Sequence, residues 1–217
     1  MGEPAPTTWP IVSTSPKSNP INTTQSGWLV PDHGTNAGLE EVRTAGVKVV
    51  VIDPKTIEGV TQAILKVSQV TGTVKKGDEV VTDLNTVVMN VERRVDSATP
   101  VFTFVEIGHD PLRTAGSGTL LDDLITAAGG VNVVTQPGYV DFSLQKLLSD
   151  QPAVYLATRT SVGSLSALQK RAGYSALAAV KAHQVFILDD DLVTRPGPRI
   201  ALGLEEIAKA LHPTRMK

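Results

Sequence analysis

Charged side chains of both signs follow a short apolar run near the end of the chain. The run 185–188 is followed at once by Asp189, Asp190 and Asp191, and then by Arg195. Carboxylates and a guanidinium together supply hydrogen-bond acceptors and donors, which suits recognition of a polar small molecule. A divalent cation is an alternative ligand, but an oxygen cage needs spaced positions, and consecutive side chains cannot all converge on one ion. A solvated charged loop is the third interpretation.

A second polar group lies at a glycine-rich turn. Ser117, Gly118 and Thr119 follow Gly116 between a predicted strand and a predicted helix. Glycine lets the backbone approach a ligand closely, and a helix amino terminus offers unpaired N–H groups. The spacing from Thr119 to Asp122 also fits a helix cap, which is a purely structural role. The turn is not a phosphate-binding P-loop, because no Gly-Lys-Ser/Thr ends it.

Three further side chains are candidates for ligand contact. Tyr139 lies near Phe142 in a predicted loop, and an aromatic ring on a rim suits a flat macrocycle. Arg159 follows the predicted strand 153–157, at the carboxyl end where parallel sheets bind ligands. His109 follows another strand and could meet an iron or cobalt centre. The structural alternative places Phe142 in the core beneath Tyr139 and the two basic side chains in solvent.

Composition removes several function classes. The 217 residues are 41% hydrophobic and 19% charged, which is typical of a globular protein with a core. A net charge of −2 and 4% aromatic residues argue against nucleic-acid binding. The absence of cysteine excludes disulfides, thiolate metal sites and a lipid-anchor cysteine in this sequence. No nucleophile, base and acid occur in a recognisable order, so we predict no catalytic residue, no protein-held metal and no cofactor.

The elements that must position these side chains alternate between strands and helices. Residues 1–33 contain six prolines and are expected to be irregular, apart from a short strand at 28–30. The apolar stripe over 77–95 predicts a helix about 30 Å long. Strand and helix alternation predicts a mainly parallel sheet. The predicted strands are 47–52, 101–105, 131–134, 153–157 and 185–188, and the predicted helices are 37–45, 57–70, 119–128, 143–149, 164–171 and 200–211.

Three runs of sequence stand out in order along the chain. They are GVKVVVIDPKTIE at 46–58, PLRTAGSGTLLDDLI at 111–125 with AGGVN at 128–132, and VFILDDDL at 185–192 with RPGPR at 195–199. Together they resemble extracytoplasmic solute-binding proteins of ABC importers of the cobalamin and iron-chelate class. The likeness covers residues 34–213, and its order along the chain makes it more specific than any single motif.

The resemblance implies an α/β fold with two parallel-sheet lobes joined by one long helix, and a ligand cleft between the lobes. On this basis residues 1–33 form an irregular segment, 34–73 a first lobe, 74–97 the connecting helix and 98–217 the second lobe. The first lobe of the family begins well before the position that matches residue 34. We therefore expect a shortened first lobe here.

The resemblance also implies a site and a ligand. Asp191 and Arg195 align with polar cleft residues that hydrogen-bond the amide-bearing rim of a corrinoid, which is the expected ligand. Haem and ferric siderophores are the alternatives, and haem would need an axial Tyr139 or His109. The predicted ligand-binding residues are Ser117, Gly118, Thr119, Tyr139, Arg159, Asp190, Asp191 and Arg195.

The implied partner is an ABC permease outside the cytoplasm. Family members often carry a glutamate, in the short helix before the strand at 153–157, that pairs with permease arginines. This chain has Gln145 there, and a neutral amide cannot make that charge-assisted pair, which puts normal docking in doubt. No signal peptide is visible, so an exported protein is expected to have lost it. A shortened lobe also permits another interpretation, an interaction module that pairs with a second copy and no longer transports.

Overall fold

The structure is a computed structural model that describes residues 27–31, 44 and 48–217. The chain forms two compact units, residues 1–53 and residues 54–217. No helix within the described residues is both long enough and apolar enough to cross a membrane.

The described part of the first unit is a two-stranded parallel sheet. Strand β1 (Gly27–Pro31) pairs with β2 (Lys48–Ile52) in continuous register. A β-branched run favours a pleated, buried strand, and Val50 is buried as expected. The predicted helix 37–45 and most of the predicted irregular segment 1–33 lie outside the described residues.

The second unit begins with a pair of helices. Helix α1 (Ile57–Thr71) starts at Thr56, whose hydroxyl accepts a hydrogen bond from the amide of Gly59, and ends at the left-handed Gly72. Helix α2 (Val74–Val95) has 22 residues and covers the predicted helix 77–95. At 1.5 Å per residue it is about 33 Å long.

The structure moves one predicted boundary. Sequence reasoning assigned residues 57–70 to the first lobe, whereas α1 belongs to the second unit. The reason is packing, because Ile57 and Val60 of α1 join one buried cluster with Leu84 and Val88 of α2. A helix with one apolar face is stabilised mainly by burying that face, and here the face meets α2.

A six-stranded mixed sheet forms the centre of the second unit. Its strands are β3 (Val101–Gly108), β4 (Arg113–Ala115), β5 (Gly130–Asn132), β6 (Tyr139–Asp141), β7 (Val154–Thr158) and β8 (Val185–Leu188). Their order is β6-β4-β3-β7-β8, and β5 also pairs with β3. The strands β3, β5, β7 and β8 are parallel, whereas β4 runs antiparallel to both β3 and β6. The mainly parallel sheet is therefore confirmed, but the two short antiparallel strands were not predicted.

Helices cover both faces of this sheet, so the strands are apolar on both sides. One face packs on α2 and on two further helices, α3 (Leu120–Ala127) and α9 (Ile200–Leu211), through residues such as Leu124, Leu204 and Ile207. The other face carries a second cluster around Phe104, Tyr155 and Leu177. The remaining helices are α4 (Leu144–Asp150), α5 (Arg159–Val162), α6 (Leu165–Gln169), α7 (Ala178–Lys181) and α8 (Asp190–Val193), with a 3-10 turn at Tyr174–Ala176.

Candidate functional site

Three parallel strands end side by side and define one edge of the sheet. Strands β3, β7 and β8 end at Gly108, Thr158 and Leu188, and Thr158 pairs directly with Leu188. We call this the carboxyl edge. Arg159 and Asp190 lie just beyond it, where they begin the short helices α5 and α8, neither of which was predicted. Ligands of open α/β sheets bind outside such an edge.

The three consecutive aspartates have three different partners. The carboxylate of Asp189 accepts a hydrogen bond from the amide of Asp191 at 2.9 Å. The carboxylate of Asp190 accepts from both the amide (3.2 Å) and the hydroxyl of Thr160, which ties α8 to α5. Asp191 pairs with Arg195, with Oδ1 and Nε 2.6 Å apart. The aspartates therefore do not converge, and the described residues contain no group of three His, Asp or Glu that could hold a metal ion.

Arg159 is the least constrained cation at the carboxyl edge. Its side chain is exposed, and within the described ranges it makes no hydrogen bond or ion pair. Its charged neighbour is Glu206 on α9, whose carboxylate also accepts a hydrogen bond from the amide of Asp189 at 3.4 Å. Partial burial raises the pKa of Glu206, while the amide of Asp189 and the charge of Arg159 act in the opposite direction. Because Arg159 is exposed, its guanidinium is available to a ligand.

The Ser117 turn lies on the β4 and β6 side of the sheet. Strand β4 runs antiparallel to β3, so the turn that follows β4 lies away from the carboxyl edge. The hydroxyl of Thr119 accepts from the amide of Asp122 and donates to the carbonyl of Gly116, which makes it a helix cap. The amide of Gly118 donates to the Asp122 carboxylate at 3.0 Å. The turn is therefore already hydrogen-bonded internally, and its contact with a ligand stays a prediction.

The same turn is interlocked with the loop that leads to Tyr139. The hydroxyl of Ser117 donates to the carbonyl of Thr135, and its amide donates to the carbonyl of Gln136 at 2.9 Å. The approach is so close that a Cβ at Gly116 would lie 1.8 Å from the Gln136 carbonyl oxygen. The predicted site residue Ser117 is thus hydrogen-bonded to the loop that leads to Tyr139, a second predicted site residue.

The sequence predicts a loop at Tyr139, but this residue begins strand β6 and pairs with Ala115. Its side chain is 52% exposed. Phe142, in contrast, is a core residue, with its ring centroid 5.4 Å from that of Phe104. The loop residue His109 is exposed. The predicted site residues therefore form two groups, one on β4 and β6 and one at the ends of β7 and β8.

Sequence reasoning missed a buried charge network beneath the carboxyl edge. Glu106 on β3 is fully buried, and both of its carboxylate oxygens accept from Nη1 of Arg171 at 2.9 and 2.7 Å. The hydroxyl of Tyr155 also donates to Glu106, and the Arg171 guanidinium lies 5.4 Å from the ring centroid of Tyr174. We call these four residues the Glu106 network. The detectable signal was a lone glutamate inside the apolar run 101–107.

The pKa values of Tyr155, Arg171 and Tyr174 are all raised within the Glu106 network. Burial, and then the nearby charge of Glu106, raise the pKa of the Tyr155 hydroxyl far above its usual value, so Tyr155 remains a donor. Burial and the same charge raise the pKa of Tyr174. Burial alone would lower the pKa of Arg171, but its hydrogen bonds and attraction to Glu106 raise it. The two tyrosine hydroxyls therefore stay protonated, and the Arg171 guanidinium stays charged beside the carboxylate of Glu106.

Comparison with known proteins places this geometry among solute-binding proteins. Residues 28–192 match the family model described as periplasmic binding protein. The uncharacterized ABC transporter substrate-binding lipoprotein YvrC of Bacillus subtilis is 26% identical over 185 residues, which are 82% of this chain and 58% of that protein. The vitamin B12-binding protein of Vibrio cholerae is 23% identical over 175 residues, which are 80% and 63% of the two chains. The chain thus spans less than two thirds of the length of either relative.

Solved structures share the fold. The periplasmic haem-binding protein of Roseiflexus sp. RS-1 superposes with a TM-score of 0.77 at 22% identity, covering 88% of this chain and 76% of that one. The periplasmic vitamin B12-binding protein of Vibrio cholerae superposes with a TM-score of 0.76 at 22% identity, covering 86% and 73%. At these identities the likeness establishes the architecture and leaves the ligand open.

Proposed function

Because the chain belongs to the periplasmic binding protein family, we propose that it is an extracytoplasmic solute-binding protein that delivers a small ligand to an ABC importer. The observation that carries this proposal is the family match over 28–192, which includes residues of both compact units. The polar side chains at the carboxyl edge support it, because parallel sheets bind small molecules there. No catalytic activity is proposed.

The proposed ligand is a corrinoid. Its peripheral amides each offer a donor and an acceptor, and Asp191 with Arg195 presents both kinds of partner on an exposed surface. The exposed ring of Tyr139 offers apolar area to a flat macrocycle. A corrinoid brings its cobalt already coordinated, so the protein needs no metal cage of its own.

Haem is the second candidate, and the likeness to a haem-binding structure favours it. Haem iron needs an axial ligand from the protein, for which a tyrosine or a histidine is suitable. Tyr139 and His109 are both exposed on the second unit. A ferric siderophore is the remaining chelate of this class.

Direct titration separates these ligands. We expect calorimetry to give a Kd for cyanocobalamin below about 100 µM, because burial of a large ligand in a cleft yields at least that affinity. The variant Arg195→Met removes a charged hydrogen-bond donor and should weaken binding about tenfold. The matched control is Lys209→Met, which breaks an ion pair of similar exposure with Glu205 on α9. Its affinity should equal that of the parent protein.

Each outcome of the titration has a defined meaning. Binding of hemin with a shifted absorbance band, and none of cyanocobalamin, would replace the corrinoid by haem. No binding of cyanocobalamin, hemin or a ferric siderophore at about 100 µM would overturn the role in ligand delivery. Light scattering then tests the interaction module, which requires a stable oligomer. A ligand-free strict monomer would contradict both functions.

The proposed partner is an ABC permease, reached outside the cytoplasm. Gln145 is the second residue of α4 and is exposed, so it is accessible to a partner. Its neighbour Lys146 pairs with Asp150 within the helix. We expect Gln145→Glu to strengthen binding to a permease that offers arginines at this place, because a carboxylate makes charge-assisted hydrogen bonds.

A further inference from the structure

The Glu106 network contains an ion pair whose location needs an explanation. Glu106 is 0% exposed, and the side chain of its partner Arg171 is 11% exposed. A buried ion pair is often no more stabilising than apolar residues of the same size, because both charges must be desolvated. Stability alone is therefore a weak reason for an Arg–Glu pair at this place.

The second terminal nitrogen of Arg171, Nη2, binds helix α5 and not Glu106. While Nη1 binds the carboxylate of Glu106, Nη2 donates to the backbone carbonyl of Ser161 at 3.0 Å. Ser161 belongs to α5, the helix that begins with Arg159. The hydroxyl of Ser161 donates to the backbone carbonyl of Thr158 at 2.8 Å, within the same turn. The planar guanidinium thus connects a fixed strand to the helix that carries the least constrained cation of the carboxyl edge.

Helix α5 depends on such support. It has four residues, too few for a helix to be stable alone in water. Its N-cap residue Thr158 makes no side-chain cap, and within the described residues the buried hydroxyl of Thr158 has no hydrogen-bond partner. Asp190 binds the amide and hydroxyl of Thr160 from the β8 side. Arg171 binds the carbonyl of the next residue, Ser161, so neighbouring residues of α5 are tied to Asp190 and, through Arg171, to Glu106 on β3.

We propose that Glu106 and Arg171 are a positioning pair that fixes α5 and thereby sets the direction in which Arg159 meets a ligand. The part of this inference that concerns the ligand rests on the proposed function. The part that concerns α5 does not, because it concerns the backbone of the unliganded protein. Neither Glu106 nor Arg171 is a ligand contact, since both are shielded from solvent.

The variant Arg171→Lys separates positioning from folding. Lysine keeps a positive charge beside Glu106, but a single ammonium cannot reproduce the two-sided fork that also reaches Ser161. We expect backbone amides in a peptide covering 157–164 to exchange hydrogen about tenfold faster, measured by mass spectrometry, because one charged hydrogen bond to α5 is lost. Exchange in α9 should be unchanged. Equal exchange in the 157–164 peptide of parent and variant overturns the proposal.

The matched control is Arg215→Lys. Arg215 is another forked arginine, with Nη1 on the carbonyl of Arg94 and Nη2 on the carbonyl of Ser97. These contacts lie before the amino end of β3, away from α5. The control should therefore leave the 157–164 peptide unchanged, and faster exchange there in both variants would mean general destabilisation and would also overturn the proposal.

Affinity measurements then test the consequence for the ligand. With cyanocobalamin as the probe, Arg171→Lys should weaken binding severalfold in the parent chain and have no effect in an Arg159→Met background. Equal weakening in both backgrounds contradicts action through Arg159. If the parent binds none of the three ligands, the proposed function fails, whereas the exchange experiment still decides whether Arg171 holds α5.

Discussion

Removing the charge of Arg171 altogether should strongly destabilise the second unit. In Arg171→Met, the carboxylate of Glu106 stays in the interior with no cation beside it. Breaking one side of a buried ion pair typically lowers the free energy of unfolding by 3–5 kcal/mol. The hydroxyl of Tyr155 still donates to Glu106 and methionine refills most of the volume, so we expect about 3 kcal/mol.

Urea unfolding followed by circular dichroism measures this loss, and the melting temperature should fall by roughly 6–12 °C for a chain of this size. The double variant Glu106→Gln with Arg171→Met removes both charges and should recover about 2 kcal/mol relative to the sum of the single variants. Arg215→Met serves as the control, with an expected loss of about 1 kcal/mol from its hydrogen bonds. If Arg171→Met stays within about 0.5 kcal/mol of the parent, the carboxylate is not held as a buried charge and the reasoning is refuted.

Three other changes test separate parts of the structure. Gly116→Ala places a Cβ 1.8 Å from the Gln136 carbonyl oxygen and should lower the free energy of unfolding by about 3 kcal/mol, whereas Gly197→Ala, with open space around it, should be neutral. Thr119→Ala should lower it by about 1 kcal/mol through the lost cap. An unchanged stability with a weaker ligand affinity would show that Thr119 is a contact. Burial raises the pKa of Glu206 above the ordinary value of a glutamate, so its protonated form adds to the free energy of unfolding at low pH. This contribution is lost as the pH rises through the raised pKa. Glu206→Gln should therefore raise the melting temperature relative to the parent at pH 7 and not at pH 4.

The long elements of the fold could be predicted because their apolar residues are periodic. The stripe over 77–95 predicts the end of α2 at Val95 and its start within three residues, and the capping residues Thr119 and Ser143 mark the starts of α3 and α4. Local signals of this kind depend only on neighbouring residues. The strands β4 and β6 have three residues each, which is too short for a recognisable alternation.

The candidate site was predicted less completely, because its organisation depends on contacts between distant residues. Asp190 and Arg159 could be placed at strand ends from the chain order alone. The bond from Thr160 to Asp190 joins positions 30 residues apart, and that from Arg171 to Glu106 joins positions 65 apart. No spacing rule connects such pairs, since the sheet order must be known first.

In the proposed site we expect exposed residues to contact the ligand and buried residues to hold them in place. The proposed contact residues Tyr139, Arg159 and Arg195 are exposed, so we expect a substitution there to change mainly the chemistry offered to a ligand. Their supports are internal, through the Ser117 turn on one side and Arg171 with Asp190 on the other. Structures named for vitamin B12 and for haem share this architecture at 22% identity with the chain. We therefore expect substitutions of the exposed residues to alter ligand preference at nearly constant stability. Substitutions of the supporting residues should alter ligand preference and stability together.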